Sequence, residues 1–261
     1  MADSPVIKAI TILKHLAESG VPAGVQQIAS KVGLNVSTVH RLLQLMSIDG
    51  MVSYDGETRT YAVGTECIRL ATNVLGSNSS IGRVRPHIAQ LAKELEETCA
   101  FTLYEPKSHS KIVALVERGS HALGYDFEIG SRDGIHAGAS GKPILAFLPD
   151  EEIEKFLRGR LRKLTDSTVV DPDELRRQIL QIRKQKYATS RGERIPGAGV
   201  GVGAPVFAGH GRVIGSVVVT VPAFRWRESR LSRIAKLVIA TAENVSAICS
   251  IGFAPNEIGN E

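Results

Sequence analysis

The sequence predicts an α+β protein of two domains: a small N-terminal domain of helices with a β-hairpin, and a larger domain in which a sheet packs beside helices. Its 261 residues exceed one average domain and are sufficient for two. Apolar residues recur at helical spacing through the first fifty residues, whereas β-prone runs alternate with helical segments after residue 98. Between these regions the polar stretch 76–80 breaks a helical pattern. We therefore expect a first domain over residues 1–65, a linker helix and hinge over 66–80, and a second domain over 81–255.

Three short helices are predicted in the first domain, over residues 6–18, 25–32 and about 36–49. Asn35 stands immediately before the third helix. Its side chain is expected to cap that helix by accepting a hydrogen bond from one of the unpaired amides of the first turn.

The spacing between the second and third helices is the most specific feature of this domain. Ala29 is small enough to let two helices approach closely, and Gly33 can adopt the positive φ of a tight turn between them. Val39 and Leu42 point back to the same crossing. This pattern predicts a helix-turn-helix, whose second helix typically enters the major groove of DNA.

The outward face of the third helix is polar at its N-terminal end. Hydroxyl groups there suit phosphates or base edges, and Arg41 suits a bidentate pair with guanine or a clamp on a phosphate. The alternative is a solvated helix face without a DNA role, which the helix-turn-helix spacing makes the weaker interpretation. The residues that we predict to contact DNA, here or on the neighbouring elements, are Gln26, Ser37, Thr38, His40, Arg41, Gln44 and Arg59.

A hairpin is predicted directly after these helices, because two β-prone runs flank the turn signal Asp55-Gly56. A hairpin at this place is typical of a wing. Arg59 on it suits a phosphate or the minor groove, whereas Tyr61 is expected to pack beneath the wing. The first domain is therefore predicted to be a winged helix-turn-helix.

The formal net charge of +5 suits a nucleic-acid partner, but its distribution weakens that argument. Residues 1–65 carry five basic and five acidic side chains, so the predicted DNA-binding domain is neutral. The basic surplus lies between residues 155 and 194, mostly in amphipathic stretches that are typical of a solvated helix face. The DNA prediction therefore depends on the motif.

The second domain shows a mixed order of elements. After the linker helix over 66–75, the pattern predicts helices and strands in alternation. The expected helices span 81–98, 142–148, 173–186 and 228–248, and the expected strands span 100–106, 111–119, 124–130, 200–209 and 212–222. A sheet with helices beside it and a concave pocket on one face is the expected product.

The segment 135–148, IHAGASGKPILAFL, resembles two nucleotide or catalytic motifs but satisfies neither. A P-loop would need Gly where His136 stands and Ser or Thr where Pro143 stands, and a nucleophile elbow would need Gly where Lys142 stands. What remains is a small-residue turn at a helix start, where amides near Ala139, Ser140 and Gly141 can hold a carboxylate. The alternative is that these small residues only permit close packing.

Two late strands supply the other candidate lining of a pocket. The glycine-rich run 197–207 leads into β-prone residues and not into a helix, so it does not predict a dinucleotide site. Gly201, Val218 and Thr220 occupy alternate strand positions that can share one sheet face and line a cavity. Core packing alone explains these three residues nearly as well.

Other classes of protein are not indicated. The first residues lack the features of a secretory signal, and the longest apolar stretch, 213–224, is too short and interrupted to span a membrane, so we expect a cytoplasmic protein. Cys67, Cys99 and Cys249 lie far apart and are expected to be reduced core residues. The seven histidines show no metal-ligand spacing, and no catalytic arrangement is recognisable. We expect no metal, no cofactor and no enzymatic activity.

Three segments together resemble the IclR family of regulators: VSTVHRLL in the third helix, HAGASGKPILA at the small-residue turn, and GVGVGAPVF with GRVIGSVVVTVP before a terminal helix. The resemblance covers nearly the whole chain. It implies a GAF-like second domain, a homodimer or a dimer of dimers, binding to a palindromic operator in double-stranded DNA, and a small organic-acid or aromatic effector.

The resemblance also implies which residues face the effector. The family's ligand-facing positions fall on Ala139, Ser140, Arg191, Glu193, Gly201, Val218 and Thr220. Members that bind small keto acids often carry an acidic residue, a cysteine and serines at these places, and this chain departs from that pattern at Arg191, Gly201 and Val218. We therefore predict an aromatic or otherwise bulkier carboxylate. The remaining alternatives are an enzyme, or a small-molecule sensor that acts without DNA.

Overall fold

The computed structural model describes residues 4–76, 79–197 and 199–252, and the chain divides into two compact units, Met1–Ser79 and Ser80–Glu261. Each unit has its own hydrophobic core. The predicted α+β architecture with an N-terminal helix-turn-helix is confirmed.

The first unit is a three-helix core with a hairpin and one further helix. Its elements are α1 (Pro5–Ser19), α2 (Val25–Val32), α3 (Val36–Ile48), β1 (Val52–Asp55), β2 (Thr60–Val63) and α4 (Thr65–Leu75). Ile12 and Leu16 of α1, Ile28 of α2 and Leu43 of α3 are fully buried together. Each contributes roughly 1.5–3 kcal/mol by leaving water, which is what fixes so small a unit.

The tight turn between α2 and α3 forms as predicted. Gly33 adopts a φ of +67°, and its amide donates to the carbonyl of Ala29. Ala29 is buried at the helix crossing. Asn35 occupies the cap position of α3 with an extended backbone, but its side chain accepts no hydrogen bond, so the predicted side-chain cap is wrong.

Helix α4 differs from the other helices of this unit because none of its residues is buried. Ile68, Leu70, Val74 and Leu75 are apolar side chains that it leaves exposed. A helix with this much exposed apolar surface normally lies against a partner.

The second unit is built on a six-stranded antiparallel sheet in the order β5-β4-β3-β8-β7-β6. The strands are β3 (Thr98–Glu105), β4 (Ser110–Glu117), β5 (Arg132–Gly134), β6 (Ala188–Arg191), β7 (Val200–Phe207) and β8 (Val213–Val221). The helices are α5 (Ser80–Leu95), α6 (Lys142–Ala146), α7 (Asp150–Leu157), α8 (Pro172–Gln185) and α9 (Leu231–Gly252).

Strand alternation divides the side chains of the sheet between its two faces. Val217, Val219 and Val221 pack with α5 and α9 in the larger core, whereas Val218 between them packs with Ala139 on the opposite face. Successive side chains of a strand point to opposite faces. The face opposite α5 and α9 therefore carries the small-residue turn and the late-strand residues that the sequence singled out.

Five elements of this unit differ from the sequence expectation: one predicted strand, the end of α5, and the unexpected elements β5, α7 and β6. The predicted strand over 124–130 is wrong: these residues form an irregular loop, and the edge strand β5 follows it. The helix expected to reach residue 98 ends at Leu95, because Glu96 has a φ of +61° and β3 begins at Thr98. Helix α7 and the four-residue strand β6 were not expected.

The cysteines are all free. Cys99 and Cys249 are buried, as predicted, and burial raises the pKa of both thiols. Cys67 is only half-buried and donates to the carbonyl of Met51. Within the described ranges, no helix has the length and apolarity that a membrane crossing requires, and no three metal-ligating side chains gather into one group.

Candidate functional site

The polar face of α3 is presented to solvent. Ser37, His40, Arg41 and Gln44 are exposed and Thr38 is half-buried, while Val39, Leu42 and Leu43 hold the opposite face of the helix in the core. Gln26 is exposed in the first turn of α2. In the part of the chain that the structure describes, none of the polar side chains named here makes a hydrogen bond or an ion pair. Their donors and acceptors therefore have only water as a partner.

A groove runs between α3 and the hairpin. His40, Arg41 and Gln44 line it from the helix, and the ring of Tyr54 lines it from β1. The apolar side chains Leu45 and Ile48 lie in the same groove and are exposed. The surface thus combines hydrogen-bonding groups with apolar contact area, which is the combination that reads base edges and thymine methyl groups.

The hairpin is ordered by its own turn. The Asp55 carboxylate accepts hydrogen bonds from the Thr58 hydroxyl at 2.7 Å and from the Glu57 amide at 2.9 Å, and these bonds lower the pKa of Asp55. Arg59 is exposed next to the tip with a φ of +55°. Tyr61 is buried and its ring lies 4.7 Å from that of Tyr54, so its predicted packing role beneath the wing is confirmed.

A cavity in the second unit brings together six of the seven predicted effector-facing residues: Ala139, Ser140, Glu193, Gly201, Val218 and Thr220. Its empty volume is about 380 Å³, a figure that includes the open solvent at its mouth. The structure adds residues that the sequence did not single out: Tyr125, Phe127, Gly138, Ser190, Gly192, Arg194, Ile195 and Gly199.

The floor of the cavity is the point where the small-residue turn lies directly on β7. A Cβ on Gly203 would come 2.1 Å from the carbonyl oxygen of Ala139, and one on Gly201 would come 2.9 Å from the Cβ of Ala139. The Ser216 hydroxyl fixes the turn by donating to the carbonyl of Ser140 at 2.6 Å. Close packing thus accounts for these glycines.

One wall of the cavity is aromatic. The rings of Tyr125 and Phe127 meet edge to face with centroids 4.6 Å apart, and burial raises the pKa of Tyr125. Phe127 is held in a small cluster with Ala100 and Val113 of the sheet. Both rings lie on the loop that the sequence pattern assigned to a strand, which is why they were missed as lining residues.

A buried ion pair closes the cavity beside the small-residue turn. Lys142 Nζ lies 2.5 Å from Glu193 Oε1, and both residues are at most 7% exposed. The amide of Gly138 donates to the other carboxylate oxygen of Glu193 at 3.0 Å, and Lys142 also donates to Gln178 at 3.2 Å. The carboxylate that this turn binds is therefore the protein's own Glu193.

A second charged cluster lies under the aromatic wall. Arg194 pairs with Asp133 through Nη2 and Oδ2, and Lys111, which is fully buried, shares the same oxygen at 3.4 Å. Burial, with a further contribution from the Arg194 charge, lowers the pKa of Lys111 to about 8, although Asp133 opposes this. Two cations thus share one carboxylate.

The titration of Lys111 gives a stability prediction. The unfolded chain holds this proton up to about its ordinary pKa of 10.5, whereas the folded chain releases it near pH 8, so rising pH within that window favours the folded state. We expect the free energy of unfolding of the wild type, relative to Lys111→Met, to increase from pH 8 to 10.5. Urea unfolding at a series of pH values measures this, and a constant difference between the two proteins would contradict it.

Arg191 is the one predicted effector residue that does not line the cavity. Its guanidinium pairs with the carboxylate of Glu228 and lies 5.5 Å from the ring centroid of Trp226. It is exposed at the end of β6, whereas its neighbour Ser190 lines the cavity. Strand alternation explains why the two residues separate.

Nearly the whole chain is similar to known regulators. The family descriptions "IclR helix-turn-helix domain" and "Bacterial transcriptional regulator IclR C-terminal" match residues 5–56 and 72–247. The chain is 28% identical over 240 residues to the transcriptional repressor IclR of Escherichia coli, covering 92% of this chain and 87% of that protein.

Solved structures show the same fold. An IclR transcriptional regulator from Alicyclobacillus acidocaldarius matches with a TM-score of 0.86 at 23% identity, over 94% of this chain and 98% of that one. An IclR homolog from Microbacterium hydrocarbonoxydans, complexed with 4-hydroxybenzoate, matches with a TM-score of 0.79 at 19% identity, over 95% and 100% of the two chains.

Proposed function

Because the chain belongs to the IclR family of DNA-binding transcriptional regulators, we propose that its first unit binds a palindromic operator in double-stranded DNA and that a small organic acid in the cavity of its second unit modulates that binding. The acid is aromatic or of similar bulk. The protein acts in the cytoplasm as a homodimer or a dimer of dimers.

The observation that supports the DNA-binding surface is the set of unpaired polar side chains on α3, next to the hairpin. In a helix-turn-helix the N-terminal residues of the second helix contact base edges. Ser37, Arg41 and Gln44 occupy that end or the next turn and are exposed. Arg59 adds a further exposed hydrogen-bond donor on the wing.

An aromatic or bulky acid is supported by the walls of the cavity. Tyr125 and Phe127 offer ring edges and faces to an apolar body, and Val218 adds an apolar side chain to the lining. Arg194 adds a cation to the lining, whereas the Glu193 charge is balanced by Lys142. The homolog that holds 4-hydroxybenzoate is consistent with this chemical class.

The homodimer is supported by apolar surface that the first unit leaves uncovered. Ile68 and Val74 of α4 are each more than half exposed, and Val6 of α1 is similarly exposed. In this proposal a second copy of the chain covers these apolar side chains, because a palindromic operator needs two recognition helices about one DNA turn apart. Effector binding then shifts the population of dimers in which those helices fit the operator.

We also propose that the second unit senses its ligand and does no chemistry on it. The named relatives are transcriptional regulators. Among the described residues that line the cavity there is no histidine, and the carboxylate there is held in an ion pair. A general base of the usual type is therefore missing from that lining.

Footprinting of the full chain on the DNA upstream of its own gene tests this proposal. We expect protection of two half-sites about 10 base pairs apart, with an affinity that changes when benzoate, 4-hydroxybenzoate or phenylacetate is added. A footprint on one half-site only would contradict the dimer. Protection that no acid alters would remove the effector class and leave the DNA-binding function standing.

A further inference from the structure

The side chain of Arg194 has an incomplete set of partners at the cavity. Its Nη2 donates to Asp133, but its Nε is buried and, within the described ranges, has no hydrogen-bond acceptor. No other buried nitrogen or oxygen atom of a side chain in those ranges lacks a hydrogen-bond partner. A buried donor without an acceptor is costly, so it indicates a missing partner.

The chain itself shows what a complete set looks like. Arg176 donates Nε and Nη2 to the two carboxylate oxygens of Glu154 at 2.9 and 2.7 Å, and Arg225 does the same to Glu97 at 2.9 and 2.6 Å. These two nitrogens form the fork that matches a carboxylate. At Arg194 the same fork is only half used.

The cluster of charged side chains around Arg194 has one more positive charge than negative charges. Asp133 is the only carboxylate paired with both Arg194 and Lys111 in the described structure, so one positive charge of this cluster is unbalanced. Lys142 contributes no further imbalance, because Glu193 neutralises it. A single anionic ligand would make the cluster neutral.

We propose that Arg194 is the residue that binds the effector's carboxylate, with Nε and Nη2 on its two oxygens, while Asp133 is left to Lys111. This assignment rests on the proposed effector function of the cavity. Arg194 lines that cavity together with Tyr125 and Phe127. When Arg194 binds the carboxylate of an acid, the apolar part of that acid lies against the aromatic wall. Arg194 thus selects for carboxylates over neutral molecules of the same shape.

Isothermal titration of the full chain tests the assignment with benzoate, 4-hydroxybenzoate and phenylacetate as probes, and with benzamide as the neutral counterpart. Arg194→Gln is expected to weaken binding of the acids roughly 10- to 100-fold and to leave benzamide unchanged. Arg194→Lys keeps the charge without the fork and is expected to fall between. Arg191→Gln is the matched control, because Arg191 lies three residues away and outside the cavity, and it should bind like the wild type.

A second variant separates ligand binding from a loss of structure. Asp133→Asn weakens the competing acceptor of Arg194, so we expect it to bind the acids more tightly. A merely structural role of the Arg194–Asp133 pair would make both variants bind more weakly, and that result would overturn the assignment.

Two further outcomes would also overturn it, in distinguishable ways. Acids that bind Arg194→Gln as tightly as the wild type would refute the role of Arg194 but keep the effector cavity. If no acid binds the wild type, the assignment and the proposed effector class are both refuted. The DNA-binding function is tested independently, by footprinting of the operator.

Discussion

Replacing Lys142 by methionine is expected to lower the free energy of unfolding of the second unit by about 3–5 kcal/mol. The substitution leaves the Glu193 carboxylate buried, and the backbone amide of Gly138 is then the one hydrogen-bond partner that the described residues give it. An unpaired charge in such a place cannot recover its lost hydration. Urea unfolding followed by the fluorescence of Trp226, the only tryptophan of the sequence, reports on this unit.

Two variants control this measurement. Lys184→Met removes an exposed lysine of α8, and its effect should stay within about 0.5 kcal/mol. Lys142→Met combined with Glu193→Gln removes both charges and keeps an acceptor for the Gly138 amide, so it should recover much of the loss. A cost below about 1 kcal/mol for Lys142→Met alone would show that the pair is not buried in solution.

Arg41→Ala is expected to weaken operator binding by about 1–3 kcal/mol, or roughly 5- to 150-fold, if the guanidinium reads a base. Arg41 is exposed on α3 and lines the groove beside the wing. Its removal touches no core residue, so the free energy of unfolding should stay the same. Gel shifts on the footprinted operator measure the loss.

Arg41→Lys distinguishes base reading from phosphate binding. Lysine keeps the charge and loses the planar fork, so a base contact is lost at one operator position while a phosphate contact largely survives. If arginine reads a guanine, both variants should lose discrimination at that base pair. Wild-type affinity of Arg41→Ala would remove Arg41 from the interface.

The helix-turn-helix was predictable because its determinants are local. Gly33 needs a positive φ whatever surrounds it, and Ala29 and Val39 show helical periodicity within a few residues. The third helix was expected to end near residue 49 and ends at Ile48. The missing side-chain bond at Asn35 shows the limit of this reasoning, since a residue at the cap position need not use its side chain.

The cavity was predictable only in part, because its walls depend on tertiary contacts. Strand alternation placed Gly201, Val218 and Thr220 on one face, and the structure has them there. Tyr125 was assigned to a strand from its β-prone neighbours, although its segment pairs with no other strand. No local signal separates Arg194 from Arg191, since the turn between them directs one into the cavity and the other toward Trp226.

The elements that the sequence did not predict also depend on tertiary contacts. Strand β6 has only four residues, and it exists because it pairs with β7. Pairing of this kind depends on the register of a distant segment, which composition does not encode.

The contact between β7 and the turn at Ala139 limits how the ligand preference of this protein can evolve. A single added carbon at Gly203 would collide with the Ala139 carbonyl. Residues at the floor of the cavity can therefore hardly be replaced by larger ones. The loop that carries Tyr125 belongs to no strand, and its backbone is tied to β4 only at its end, where Gly130 and Ser131 bond to Val113. Divergence toward acids of another size is therefore expected to accumulate in that loop, with the sheet beneath it unchanged.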